Sequence, residues 1–410
     1  LDMEKPRLLV TASTFPRWEG DTEPRFVLDL CKKLTAYFEV TVLAPGAPGA
    51  AREEVLEGVH VVRYHYFPIH KWETLCYPGA IVPRIREKKV RVLLVPFLFF
   101  ALWWKIGRMK KQFDVAHAHW LIPQGIVQSF RKIPYLVTGH GGDVTSLNVS
   151  IMRMLKKRCI KNAGAVTAVS DALLLTMNQI CPKEQTAVVS MGCDMERFGT
   201  QYRIENYFEQ GEEQVVLFVG RLAEKKGVTY LIEAMKNVEA KLVIVGDGDL
   251  YESLFSQASE SFTGRVLAPE EKPVDTGWKI RFLGAKTHEE LKTIYASADV
   301  FAMPSVTAKD GDKEGFGVVM LEAMASGLVV AASNSGGITD VIQDGENGLL
   351  MEEKNCVAIA EKLNELLTQK DLYQKLQKKA FATAQQYDYS VIAESYRELI
   401  MGVMGHDKTK

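Results

Sequence analysis

Residues 214–248 read QVVLFVGRLAEKKGVTYLIEAMKNVEAKLVIVGDG. An apolar run over 214–219 stops at Gly220. A polar loop carrying Arg221, Lys225, Lys226 and Gly227 follows. Residues 228–238 then place apolar side chains at helical spacing, and a second apolar run covers 242–245. The order is strand, loop, helix, strand. Short Val/Ile/Leu runs joined by helices indicate parallel strands, because a parallel connection needs a crossover, and the crossover helix buries the sheet face.

The same alternation extends in both directions. Towards the C-terminus, strands are expected at 280–283, 300–303, 328–332 and 349–351, with helices at 250–258 and 288–297. Towards the N-terminus, strands are expected at 7–12, 40–43, 59–64, 115–118, 135–138, 165–168 and 186–189, with helices at 25–36, 151–160 and 171–180. The polar stretch 197–214 separates the two halves and reads as a linker and candidate hinge. Residues 264–277, with Gly264, Pro269 and Pro273, read as an inserted surface loop. The expected architecture is α/β with two doubly wound domains, 1–196 and 212–388. Such sheets bind ligands at the carboxyl ends of their strands.

Composition agrees. The 410 residues suffice for two domains at ~100–200 residues each. Fifty Lys plus Arg against 51 Asp plus Glu give a net charge of −1, which argues against a nucleic-acid binder. A 47% hydrophobic fraction excludes a disordered chain. The six cysteines form no Cys-x-x-Cys pair, so zinc-ligand spacing is absent and a reducing compartment is expected. No signal peptide is read in LDMEKPRLLV, and a cytoplasmic location is expected. One segment qualifies this. Residues 92–104, VLLVPFLFFALWW, are uncharged but shorter than the ~20 residues of a membrane span. Around them, 84–111 hold nine Lys/Arg and one acid, Glu87. Two readings stand: a buried helix with solvated ends, or a peripheral patch attracted to an anionic membrane surface.

Chemistry concentrates in 314–327, EGFGVVMLEAMASG. Gly315 and Gly317 bracket Phe316, and a helix begins at Val318. A helix start with bare amides and a positive dipole end suits a phosphate. Glu314 precedes that end. Glu322, within the first turns, could accept both hydroxyls of a ribose. Arg221 and Lys226 at a strand's carboxyl end suit a diphosphate. In 137–143, VTGHGGD, His140 sits between glycines near Asp143, and in 15–21, FPRWEGD, Gly20 could admit a phosphate while Arg17 and Trp18 could meet a substrate. His117 and His119 read as packing residues.

These motifs together resemble the retaining glycosyltransferases of family 4. The Glu314, seven-residue, Glu322 arrangement enclosing Gly-Phe-Gly is similar to that family's signature. GRLAEKKG over 220–227 resembles its Gly-Arg and Lys-Gly element. Residues 191–198, MGCDMERF, are similar to the segment before its interdomain linker, with Met191 and Cys193 departing from the pattern. The resemblance implies a GT-B fold, two Rossmann-like domains facing across a cleft, with a final helix at about 389–404 crossing back to the first domain.

It also implies a nucleotide-sugar donor in the C-terminal domain. Arg221 and Lys226 would grip the diphosphate, Glu322 the ribose, and Glu314 the sugar. Phe316, Gly317 and Val318 would supply amides, Gly246, Arg281 and Phe282 would border the base, and His140 would lie over the sugar. The N-terminal domain would read a glycan or lipid-linked acceptor, with Arg17, Trp18 and Asp143 as candidates. A UDP-sugar is favoured over GDP-mannose. The implied mechanism is front-face substitution with retention. No metal and no further cofactor are expected, because the Arg/Lys pair can neutralise the leaving group. The rival readings are a GT-B sugar-nucleotide epimerase, a dinucleotide-dependent oxidoreductase resting on Gly246-Asp247-Gly248 alone, and a non-catalytic binding protein on the same fold.

Overall fold

A computed structural model describes residues 4–309 and 311–407. The chain divides into two compact units. One runs to Met191 and regains the chain from Tyr389; the other is Gly192–Asp388.

The first unit holds eight strands: β1 (Arg7–Thr11), β2 (Glu39–Pro45), β3 (Glu53–Leu56), β4 (Val59–Tyr64), β5 (Val115–His119), β6 (Tyr135–Gly139), β7 (Ala165–Ala168) and β8 (Thr186–Val188). Their order is β3-β4-β2-β1-β5-β6-β7-β8. All pairs are parallel except β3 with β4. That hairpin was not expected, because EEVL carries little apolar signal. Its turn is Glu57-Gly58, both at positive φ (48° and 85°), the two-residue form that matches strand twist. The last helix, Tyr389–Asp407, belongs to this unit, where it packs on helix Phe26–Leu34 and on β5, β6 and β7.

The second unit holds seven strands: β9 (Val215–Val219), β10 (Lys241–Val245), β11 (Val266–Leu267), β12 (Ile280–Gly284), β13 (Val300–Met303), β14 (Val329–Ser333) and β15 (Leu349–Met351). They are ordered β11-β12-β10-β9-β13-β14-β15. Every pair is parallel, and the central strands are buried along their length, as their unbroken apolar runs require. Helix His288–Ser297 has the expected bounds and opens with a Thr287/Glu290 capping box.

Three readings change. Residues 264–277 are not wholly a loop, since β11 adds to β12 as a parallel edge strand. Two helices between β15 and the last helix, Cys356–Thr368 and Lys370–Gln386, were not expected. The stretch 197–214 packs into the second unit: Phe198 and Phe208 are buried, and Arg203 donates to the carbonyls of Ala296 and Ala298 at 3.2 and 2.8 Å. Residues 92–104 run from the 3₁₀ segment Lys89–Leu94 into helix Val95–Met109, with Leu98, Leu102 and Ile106 buried and the opposite side open.

Candidate functional site

In the second sheet, β10 lies on one side of β9 and β13 on the other, so chain direction around the sheet reverses between β9 and β13. Loops leaving neighbouring strands at such a switch point diverge and leave a crevice at the strands' carboxyl ends. Residues 220–227 leave β9, and residues 304–317 leave β13. Glycine lets these loops meet. Gly227 has φ +64°, and a Cβ there would stand 1.9 Å from the Pro304 carbonyl oxygen. Gly317 has φ +85°, caps helix Val318–Ala325, and a Cβ there would stand 2.3 Å from the Met303 methyl.

The loops bring Lys226 and Glu314 together. The Lys226 ammonium donates to Glu314 Oε2, and both side chains are largely sheltered. Burial alone would raise the Glu314 carboxyl. The charges of Lys226 and Lys225, with hydrogen bonds from Lys226 and the Gly315 N–H, outweigh it and hold the group below its ordinary value. Glu314 is therefore an ionised acceptor beside a cation. Arg221, two residues past the strand end, is half-buried, with a guanidinium nitrogen 3.4 Å from Asp249.

Glu322 is buried at the fifth residue of helix Val318–Ala325 and accepts from the Tyr295 hydroxyl at 2.9 Å. Tyr295, itself fully buried, escaped the sequence reading. Its partner is 27 residues away, and no local pattern marks the pair. Val318 opens the helix, and Phe316 is buried against Tyr387 at 5.7 Å between ring centroids. Thr307 and Glu353 were missed as well. The Thr307 N–H donates to Glu353 at 2.7 Å, which anchors the loop after β13.

The expected base-bordering residues divide. A Cβ on Gly246 (φ +132°) would stand 2.0 Å from the Gly220 carbonyl oxygen, so this glycine serves close backbone approach between the loops after β9 and β10. Arg281 is partly buried and donates to the Phe208 carbonyl at 3.1 Å. Phe282 is a correction: its side chain is committed to the core against Tyr251 and Phe255, because alternation along β12 turns it into the helical layer.

In the first unit the switch point lies between β1 and β5. His140, after β6, pairs with His119 at 3.0 Å between Nε2 and Nδ1, and its ring lies 4.9 Å from Trp120 and 5.4 Å from Phe26. Burial pushes His117 and His140 down to about 3, so both are neutral. His117 and His119 are packed in the core as expected. Asp143 is engaged by backbone: it accepts N–H groups of Leu121, His140 and Gly141 at 2.8, 3.1 and 2.9 Å. That carboxylate shapes the His140 loop. Arg17 is clamped by Asp21 through two bonds at 3.0 and 2.9 Å and lies over the rings of Trp18 and Tyr77. Gly20 is exposed with φ +78° and open space around its Cβ position.

Two family models match the chain: Glycosyltransferase Family 4 over residues 24–197, and Glycosyl transferases group 1 over 203–383. An uncharacterized glycosyltransferase, MJ1178 of Methanocaldococcus jannaschii, is 27% identical over 333 residues, 79% of this chain and 85% of the relative. The GDP-mannose-dependent alpha-(1-6)-phosphatidylinositol monomannoside mannosyltransferase of Mycobacterium tuberculosis is 30% identical over 247 residues, 58% of this chain and 61% of the relative. The crystal structure of Anabaena Alr3699/HepE in complex with UDP and glucose has the same two-domain fold, with a TM-score of 0.71 at 18% identity, covering 97% of this chain and 99% of that one.

Proposed function

We propose, for a chain that belongs to the family 4 glycosyltransferases and has the GT-B fold, transfer of a hexose with retention from a nucleotide-sugar donor to a hydroxyl of a glycan or lipid-linked acceptor. The observation that carries this reading is the Lys226–Glu314 pair at the switch point of the second sheet, with Arg221 at its rim and the amide-bearing start of helix Val318–Ala325 beside it.

Each group has a task. Lys226 and Arg221 take up the charge that develops on the departing diphosphate, a role fixed cations fill without reorganising during the reaction. The helix start adds its amides and dipole end. Glu322, oriented by Tyr295, accepts from the ribose hydroxyls. Glu314, kept ionised by the lysines, accepts from sugar hydroxyls. His140, neutral and oriented by His119, contacts the sugar. In front-face substitution the bond from the anomeric carbon to the phosphate oxygen breaks as the acceptor oxygen bonds on the same face. The acceptor proton passes to the leaving phosphate oxygen, so no side-chain nucleophile is needed. The cation pair makes the reaction independent of metal and cofactor.

A UDP-sugar is the favoured donor, supported by the ligand of the Anabaena protein. GDP-mannose is the second reading, favoured by the mycobacterial relative. The enzyme works in the cytoplasm. A thermal-shift screen with UDP, GDP, ADP and CDP in EDTA tests the proposal. One nucleotide at a hundredfold its dissociation constant should stabilise the protein by about 2.7 kcal/mol, and Glu322→Ala should remove most of that response. Silence from all four, or a response that requires added metal, would overturn it.

A further inference from the structure

Helix Val95–Met109 carries apolar side chains on its exposed side as well as on its buried one. Leu98, Leu102, Ile106 and Met109 repeat at helical spacing and are buried in the first unit, against β4 and helix Ile126–Gln128. The other face carries Phe97, Phe100, Trp103 and Trp104, with Phe100 64% and Trp104 49% exposed. Preceding it, Val90 and Leu93 of the 3₁₀ segment Lys89–Leu94 are 66% and 65% exposed. By length and composition alone, Lys89–Gln112 could cross a membrane. Spanning would strip Leu98, Leu102 and Ile106 from the core, so the helix lies on its own domain with one face uncovered.

The patch continues across neighbouring elements. The Arg131 guanidinium lies 3.8 Å over the Trp103 ring and donates to the Trp103 carbonyl. Adjacent Phe130 is exposed and receives Arg158 of helix Ser150–Asn162 at 4.3 Å. That helix exposes Ile151 and Met154 on the same side as Arg158, at i, i+3 and i+7. On the other flank, Phe67 joins Phe97 at 5.0 Å to exposed Trp72 at 5.8 Å.

Charge separates this face from an ordinary apolar patch. Residues 88–170 contain fourteen Lys/Arg and two acids, Asp114 and Asp143, in a chain whose net charge is −1. Asp114 is bound by Arg7, and Asp143 by backbone N–H groups. Lys156 and Arg91 are buried, and the remaining cations reach solvent.

We infer that helix Val95–Met109, the 130–132 turn and the outer side of helix Ser150–Asn162 form one docking face for an anionic lipid surface. The aromatic and aliphatic side chains enter the boundary between headgroups and acyl chains, and the surrounding lysines and arginines meet the negative headgroups. A second copy of the chain fits less well, because a two-fold interface apposes the same patch to itself and would set these cations against their own kind.

Co-sedimentation of the full chain with vesicles of equal phosphatidylglycerol and phosphatidylcholine tests this. The protein should pellet at low salt and much less at high salt. Lys110→Ser and Lys111→Ser should each weaken partitioning about fivefold, at ~1 kcal/mol per cation near the surface. Phe100→Ser with Trp104→Ser should weaken it further while the circular dichroism melt stays unchanged, since both side chains are exposed. Absence of pelleting at low salt would overturn the inference, as would pelleting that both sets of substitutions leave intact. A dimer in sedimentation velocity that the Phe100/Trp104 pair dissolves would assign the face to a second copy instead. None of these readouts depends on a nucleotide, so failure here and failure of the transferase reading are separable.

Discussion

The proposed chemistry centres on Lys226. It sits at the carboxyl end of the central strand, paired with an ionised Glu314 and flanked by Arg221. If its role is to stabilise charge on the leaving diphosphate, Lys226→Ala should lower kcat by roughly 10²–10³-fold, the usual loss when one preorganised donor to a developing negative charge is removed. The melting curve should fall but stay cooperative, because the sheltered Glu314 carboxylate loses its direct partner and keeps only Lys225 nearby. Steady-state kinetics with the donor chosen by the thermal-shift screen make the check. Unchanged kcat would take Lys226 out of the reaction. The residue types were legible in sequence, since cations, carboxylates and glycines in these spacings point to a phosphate and sugar site. Which carboxylate meets which cation was not, because Lys226 and Glu314 are 88 residues apart.

At the scale of elements, close packing of loops decides whether a site forms. The loop after β9 touches the loop after β13 backbone to backbone at Gly227. Gly227→Ala would place a methyl 1.9 Å from the Pro304 carbonyl oxygen on a residue that also needs φ +64°. Positive-φ strain and overpacking together should cost about 3 kcal/mol. A melting temperature lower by roughly 10 °C is expected for the second unit. A variant as stable as the parent would mean that the loop rearranges freely. Sequence alone marked Gly227 as a helix-start glycine; its partner Pro304 is a tertiary fact. The reverse happened with Phe282, where proximity to the 280–284 strand end suggested a ligand contact and strand alternation assigned the ring to the core.

For the whole molecule, the two units should respond differently to acid. Burial in the first unit pushes His117 and His140 from 6.5 down to about 3 and holds His119 well below 6.5. Unfolded, these rings bind protons near 6.5; folded, they do not. As pH falls from about 6.5 towards 3 the unfolded state gains protons first, so stability is lost, at up to ~1.4 kcal/mol per pH unit for each ring. Hydrogen exchange at pH 7 and pH 5 should show protection falling in β5 and β6 more than in β9 and β10. Equal losses in both sheets would count against this account.

What the sequence determined by itself was local and periodic. The Val/Ile/Leu runs and their intervening helices specify two parallel sheets, because only strands buried on both faces need to be apolar throughout. The glycine-bounded motifs specify where helices start, because backbone conformation near a glycine is set within a few residues. Strand order is different. It is a choice among crossovers that leaves no trace in any one segment, and it alone places β9 beside β13, Lys226 beside Glu314, and Tyr295 beside Glu322. The weakly patterned β3 and β11 exist only because a neighbour offers an open edge. The aromatic face of Val95–Met109 shows the same division. The sequence made the segment apolar, and tertiary packing decided which half is core and which is surface, since the first unit has room to cover only one side of that helix.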